Sequence, residues 1–361
     1  MRLSWRVLLN LSLLALCQAA SVEEIQLKNI DILTDSFHKG WKEFCDAPVD
    51  EGVMSLYNGI NPSDTSIHLL TINNQSVELP IRALSEIRDF DINPQRKTLL
   101  YVNGFYTADS YFSVQAHLHM MQARRRDLNV IVVNFAKDIQ QLYYALRHHL
   151  TLHGYFIAKI LSVLVENGVD PEDITLAGHS VGANAAALGA SLYTAEYWHS
   201  HRKISLIDQL IAIDPASHIC DTSDLFVRNN VTSRVVVIHG EGNIFGVREP
   251  LGTIDIYPNG VGFYPKRKLQ PGCESWTCSH MYPFLLFMEA LVEGVSIPSV
   301  RCENWMQFKD GLCNYQDIVE IGITYPAAAK GLYFCVTQPH PPFTLHENGF
   351  EYRSRNSIFR Q

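Results

Sequence analysis

The stretch from Ile174 to Ala187 constrains the fold of this 361-residue chain more than any other. A short apolar run, Ile174 to Ala177, enters Gly178-His179-Ser180-Val181-Gly182, and a small-residue helical pattern leaves it. That is the form of a nucleophile elbow, a sharp strand-to-helix turn that holds a serine hydroxyl above a sheet. A side chain at Gly178 or Gly182 would collide with the neighbouring strand or helix. The turn also aims the first N–H groups of the next helix, and its dipole, at the space over Ser180, where an oxyanion is favoured. A Gly-flanked serine in an ordinary strand-to-helix turn fits the same five residues, so the flanking chain has to decide.

On both sides of the elbow, strands and helices alternate. Apolar runs predict strands at Thr98–Val102, Val130–Val133, Leu210–Ile213 and Val235–Ile238. Helical spacing runs from Ser110 to Arg126 and again from about Gln140 to Glu166, where Gly168 ends it. Before about residue 90 the chain leans towards β-structure. Strands joined by crossover helices make a mostly parallel sheet, with ligands at the carboxyl ends of its strands. The fold class expected is therefore α/β, in one domain. Ser180 and Asp214 each follow a predicted strand directly, as does Asn103-Gly104-Phe105. His280 is placed in a loop after Cys278, opening an apolar helix from Met281 to Val292. Serine, then aspartate, then histidine is the chain order of α/β-hydrolases.

Two other readings of these residues have to be set beside that one. Asp214 could be a helix cap ahead of Pro215. His239 also ends a strand and rivals His280 as a base. His148, His149 and His153 recur along one helix pattern and are read as surface or groove residues, not ligands. Arg124-Arg125-Arg126 is read as a solvated helix end. Lys266-Arg267-Lys268 is read as a solvated loop, or one that attracts anionic lipid headgroups.

At the start of the chain, Arg2 and Arg6 precede an apolar run from Val7 to Leu16, and Cys17-Gln18-Ala19-Ala20 follows. Those are the marks of a secretory signal peptide over residues 1–19, cut after Ala19 or Ala20. No later stretch reaches the roughly 18 apolar residues of a membrane span, so no transmembrane segment is expected. Losing Arg2 and Arg6 takes the formal net charge from −8 to −10, which argues against a nucleic-acid partner. Of eight cysteines, Cys17 leaves with the leader, and the secretory route makes disulfides the default for the rest. Cys273 with Cys278 and Cys302 with Cys313 are spaced as local bridges. Cys45, Cys220 and Cys335 remain, and Cys335 sits in what reads as a buried strand, Gly331 to Thr337. Asn74 and Asn230 begin glycosylation sequons, Asn-Gln-Ser and Asn-Val-Thr. No Cys/His cluster has metal spacing, and no metal or cofactor is expected.

From roughly residue 50 to 340 the chain resembles the animal pancreatic-lipase family, which includes secreted phospholipases A1 and the insect yolk-protein branch. The residues that carry the resemblance are Gly178 to Ala183, Ile213-Asp214-Pro215-Ala216, Asp255 to Gly260, Gln270-Pro271-Gly272-Cys273 and Cys278-Ser279-His280. The resemblance implies an α/β-hydrolase fold, expected over residues 20–345 with a polar tail from 346 to 361. In the family a β-sandwich lipid-binding domain often follows, and this chain is expected to lack it. It implies Ser180 as nucleophile, His280 as base then acid, and Asp214 as the group that orients the histidine. It also implies an oxyanion hole from the backbone N–H groups of Phe105 and Val181. The chain departs from the family at Asn103, at Asn134-Phe135 and at Asn184, where His, Asp-Trp and His are usual. Arg228 and Val231 stand where some members bind calcium, so no calcium is expected.

These residues together point to a secreted serine hydrolase of lipid esters, phospholipase A1-like or a general lipase, acting at a membrane or lipoprotein surface. The alternative is a catalytically weak or inactive lipid- or hormone-binding protein of the yolk type. Only four residues separate Cys273 from Cys278, the loop corresponding to the family's lid, and the stretch from His239 to Asp255 is short as well. The site is therefore expected to be open.

Overall fold

The computed structural model describes residues 66–70, 76–80, 92–104, 127–134, 146–217, 226–242, 244–260 and 269–352. Its strands are β1 (Ser66–Leu70), β2 (Ser76–Pro80), β3 (Thr98–Val102), β4 (Asn129–Asn134), β5 (Ile174–His179), β6 (Gln209–Ile213), β7 (Arg234–Ile238), β8 (Ile254–Pro258), β9 (Pro298–Arg301), β10 (Asn314–Glu320) and β11 (Gly331–Cys335). Its α-helices are α1 (Leu146–Glu166), α2 (Val181–His201), α3 (Trp276–Ala290) and α4 (Trp305–Lys309). Among the described residues the strands form one sheet in the order β10-β9-β11-β8-β7-β6-β5-β3-β4-β1-β2. The middle, from β11 to β4, is parallel throughout. Antiparallel pairs close both edges, β1 and β2 beyond β4, and β9 and β10 beyond β11. The chain has the α/β-hydrolase fold.

The apolar runs are continuous because these strands are buried on both faces. Alternate residues sort to the two sides. Leu100, Val102, Leu176, Leu210 and Val235 pack with α1 and α2 residues such as Ile157, Leu161 and Ala186. Leu99, Tyr101, Ala177, Ile211 and Val236 pack with α3 residues such as Phe284 and Phe287. On the first side, α1 and α2 approach closely through small residues. A Cβ at Gly154 would lie 2.5 Å from Leu188 Cγ, and one at Gly189 would lie 2.4 Å from Ile157 Cγ2.

Four of the strand expectations coincide with β3, β4, β6 and β7, and the buried strand around Cys335 is β11. The expected second helix is α1, and Gly168 follows it at φ +90°, a left-handed turn open to glycine. The third helix starts earlier than its apolar residues suggest. It begins at Trp276, because the Ser275 side chain accepts the Cys278 N–H and caps it, so His280 lies within the first turns of α3 and not in a loop. His153 is also a correction: it is 3% exposed on α1, so it belongs to the packed interior and not to the surface. The tail assigned from residue 346 begins with a 3₁₀ turn, His346–Phe350, and its Gly349 carbonyl accepts the Val336 N–H.

Both local disulfides are formed, Cys273–Cys278 and Cys302–Cys313. Cys335 is a buried free thiol, pushed up to about 12 by desolvation, and so unreactive. The leader, Cys45, Asn74, Phe105, the helix expected over 110–126 with its arginine triplet, Phe135, Cys220 and Lys266 to Lys268 lie outside the described residues. So do the side chains of Asn134, His148 and His149. No helix among the described residues is long and apolar enough to cross a membrane.

Candidate active site

Register brings the candidate residues together. His179 pairs with Ile213, and Ile213 with Ile238, so β5, β6 and β7 end at one level. Ser180, Asp214 and His239 are the next residues on the three strands. Val102 pairs with Gly178, which places Asn103-Gly104 beside the elbow.

At the elbow Ser180 has φ 57° and ψ −125°, a backbone conformation that costs an L-residue on the order of 1–3 kcal/mol. Its N–H donates to the Ile213 carbonyl at 2.9 Å and holds the turn against β6. The flanking glycines are sterically required. A Cβ at Gly178 would sit 2.5 Å from the Gly182 carbonyl oxygen, and one at Gly182 would sit 2.4 Å from that of Asn103. Gly104 abuts the serine itself, since a Cβ there would be 3.1 Å from Ser180 Cβ. Val181 and Gly182 begin α2, where N–H groups have no intrahelical acceptor.

Asp214 is fully buried and also strained, at φ 37°. Its carboxylate is held from three directions. Oδ1 accepts the Gly240 N–H at 2.7 Å, and Oδ2 accepts the Glu241 N–H at 3.0 Å and His280 Nδ1–H at 2.6 Å. Because the carboxylate can only accept, Nδ1 carries the hydrogen and Nε2 of His280 keeps its lone pair. Gly246 lies flat against the same carboxylate, where a Cβ would come within 2.3 Å of Oδ1. The cap reading of Asp214 is thereby superseded, since its oxygens are used by the 240–241 backbone and by His280.

Behind this pair, His179 Nε2–H donates to the His280 carbonyl at 2.9 Å, and the two rings lie 4.7 Å apart. The elbow thus grips the backbone of the histidine it faces. Phe245, 38% exposed, covers another side of the imidazole at 5.4 Å between ring centres. His280 itself is 8% exposed.

His239 takes no part in this grouping. Its Nδ1 bonds the Val247 carbonyl and its Nε2 bonds Asp255 Oδ1, both at 2.9 Å, and its ring stacks on Tyr257 at 4.0 Å. With both nitrogens occupied and only 2% of the residue exposed, it is a brace for the loop between β7 and β8. The two motif residues Asn259 and Gln270 brace the same loop. Gln270 Nε2 donates to the Gly240 carbonyl at 2.8 Å while its Oε1 accepts from Asn259 Nδ2 at 2.8 Å.

Asn184, one of the departures from the family pattern, is fully buried and donates Nδ2–H to the Ala216 carbonyl at 3.2 Å, tying α2 to the turn after Asp214. Asn103 is also buried, with its carbonyl against Gly182. Arg228 is exposed and Val231 buried, and among the described residues no three His, Cys, Asp or Glu side chains gather so as to hold a metal ion. Sequence reasoning misses His179, Gly240, Glu241, Phe245 and Gly246 as partners of the site. Gly240, Glu241 and Gly246 meet Asp214 through their backbone, which leaves no signal of the pairing in the sequence, while His179 and Phe245 meet His280 through their rings.

The family model for lipases matches residues 42–327. Among curated proteins, lipase member H of Oryctolagus cuniculus is 24% identical over 266 residues, 72% of this chain and 56% of that one. Lipoprotein lipase of Neovison vison is 28% identical over 243 residues, covering 61% and 49%. Lipoprotein lipase of Bos taurus is 26% identical over 330 residues, covering 85% and 63%. The chain therefore spans about half to under two thirds of these relatives' own length. Among solved structures, the apo form of Thermogutta terrifontis esterase 2 aligns at 15% identity over 42% of this chain and 63% of that one, with a TM-score of 0.29.

Proposed function

The chain belongs to the lipase family, and from that premise we propose that it is a secreted serine hydrolase of lipid carboxylic esters. The observation that carries the reading is His280 Nδ1–H bonded to a fully buried Asp214, level with the strained Ser180 elbow. Ser180 Oγ attacks the ester carbonyl while His280 Nε2 accepts its proton. The N–H groups of Val181 and Phe105 hold the oxyanion of the tetrahedral intermediate. Collapse releases the alcohol, which takes the proton from His280, and leaves an acyl-enzyme. Water, deprotonated by the same Nε2, then frees the fatty acid. Asp214 keeps the imidazole in the productive tautomer and stabilises it when charged. The non-catalytic yolk-type alternative is disfavoured by the three side chains this cycle needs, all of which the chain retains. The leader and the two disulfides support export, and Asn230, exposed in a turn, is the described sequon a glycan could occupy.

The fold of the Cys273–Cys278 segment supports a reading of the substrate class. Ser275 caps α3, and Trp276, Thr277 and Cys278 are its first turn. A segment used up in a helix N-terminus offers no flap to close over an acyl chain. We therefore assign a permanently open groove and phospholipase A1-like or general lipid-ester hydrolysis. Hydrolysis of a short-chain ester should pass through its solubility limit without a jump in rate, and phosphatidylcholine should be cleaved at least as well as triolein. A steep rise at the limit together with a clear preference for triolein would overturn the assignment.

A further inference from the structure

We infer that Glu241 is a positioning residue for the His280–Asp214 pair, and the inference rests on the hydrolase reading above. Glu241 is a fully buried acid that the proposed cycle does not use. Its Oε2 gathers three backbone N–H groups, those of Ile244 and Phe245 at 2.7 Å and of Gly246 at 3.2 Å. Three amide donors thus converge on one oxygen of the side chain. The side chain therefore closes the turn on itself from the inside.

That closure reaches the site along three routes. The Glu241 N–H, with that of Gly240, grips the Asp214 carboxylate. Gly246, the third residue tied to Oε2, lies against both oxygens of the same carboxylate. Phe245, the second, rests on the His280 ring. The turn is also pinned to the segment after Asp214, where the Ser217 N–H donates to the Phe245 carbonyl at 2.8 Å and the Val247 N–H to that of Pro215 at 3.0 Å. Asp214 is thus clasped between two segments of backbone, and Glu241 is the clasp. Without the side chain, the 244–246 backbone loses its tie to the residue whose own N–H grips Asp214. Gly246 and Phe245 lose the anchor that holds them against Asp214 and His280, and the 2.6 Å bond to His280 loses its fixed acceptor.

The test is kinetic. Glu241→Ala should lower kcat about 10- to 100-fold, the usual cost of displacing a catalytic group by about 1 Å, with KM unchanged within about twofold. Glu241→Gln keeps an acceptor oxygen at the same reach and should recover to within about fivefold of wild type. Glu241→Asp keeps the charge but is one methylene short, about 1.5 Å, and should stay as low as Ala. In an Asp214→Asn background, Glu241→Ala should cost nothing further, because it acts through Asp214. Should Glu241→Ala not accumulate as folded protein, the Gln and Asp variants carry the same test. Wild-type kcat in Glu241→Ala, recovery by Asp but not by Gln, or a loss that multiplies that of Asp214→Asn would each overturn the inference. Phosphonylation of wild-type Ser180 tests the hydrolase reading separately, so the two can fail independently.

Discussion

Ser180→Ala is expected to lower kcat for ester hydrolysis by about a million-fold, to the background that substrate binding and the oxyanion hole sustain alone. The alanine removes the atom that attacks. His280→Ala should cost nearly as much, since without Nε2 the serine proton has nowhere to go. The double variant should then be hardly worse than either single one, because three groups that act in one step lose their value together. Additive losses would mean that the two residues work separately and that the assignment is wrong. His239→Ala is the control. It strips a partner from buried Asp255 and should lower stability, while the activity of the molecules that stay folded falls far less than in His280→Ala.

Asp214→Asn should lower kcat by about ten-thousand-fold with little change in fold. The reason is the number of donors around the carboxylate. Gly240 and Glu241 each direct an N–H at it, and His280 directs a third from Nδ1. An asparagine has one oxygen for those donors and places an NH₂ where the other oxygen was. Either the NH₂ takes the Oδ1 place and faces the Gly240 N–H, or it takes the Oδ2 place, faces the Glu241 N–H, and the imidazole turns to its other tautomer and accepts at Nδ1. In the second case Nε2 carries the hydrogen and cannot act as a base. Measured kcat should fall at neutral pH while KM for a soluble ester moves by no more than a few-fold. A variant with near-normal kcat would remove Asp214 from the role given to it.

The parts of the fold that are legible in the sequence are those in which side-chain type carries the information. The strands β3, β4, β6 and β7 are buried on both faces, so their sequences are unbroken apolar runs of the kind that few other elements require. The elbow is legible because two glycines must flank Ser180 wherever strand, serine and helix meet so closely. The edge strand β10 is not, since it reads Asn-Tyr-Gln-Asp-Ile-Val-Glu and is largely exposed. The apolar pattern places the start of α3 too late, at Met281, whereas the helix is begun by the polar cap at Ser275. The setting of Asp214 is hidden for a different reason. Its partners are the N–H groups of Gly240 and Glu241 and the bare backbone of Gly246, and an amide has no signature in the sequence. His239 shows the converse, a histidine at a strand end that reads as a base and is instead consumed by Asp255 and Val247.

Labelling with a fluorophosphonate probe tests the central claim most directly, because the probe phosphonylates only a serine whose proton can be taken by a poised base. Native protein should gain one adduct, on the peptide bearing Ser180, and no adduct should form when the protein is unfolded before the probe is added or in His280→Ala. A native, folded protein that takes up no probe, or takes it up on a different residue, would contradict the account.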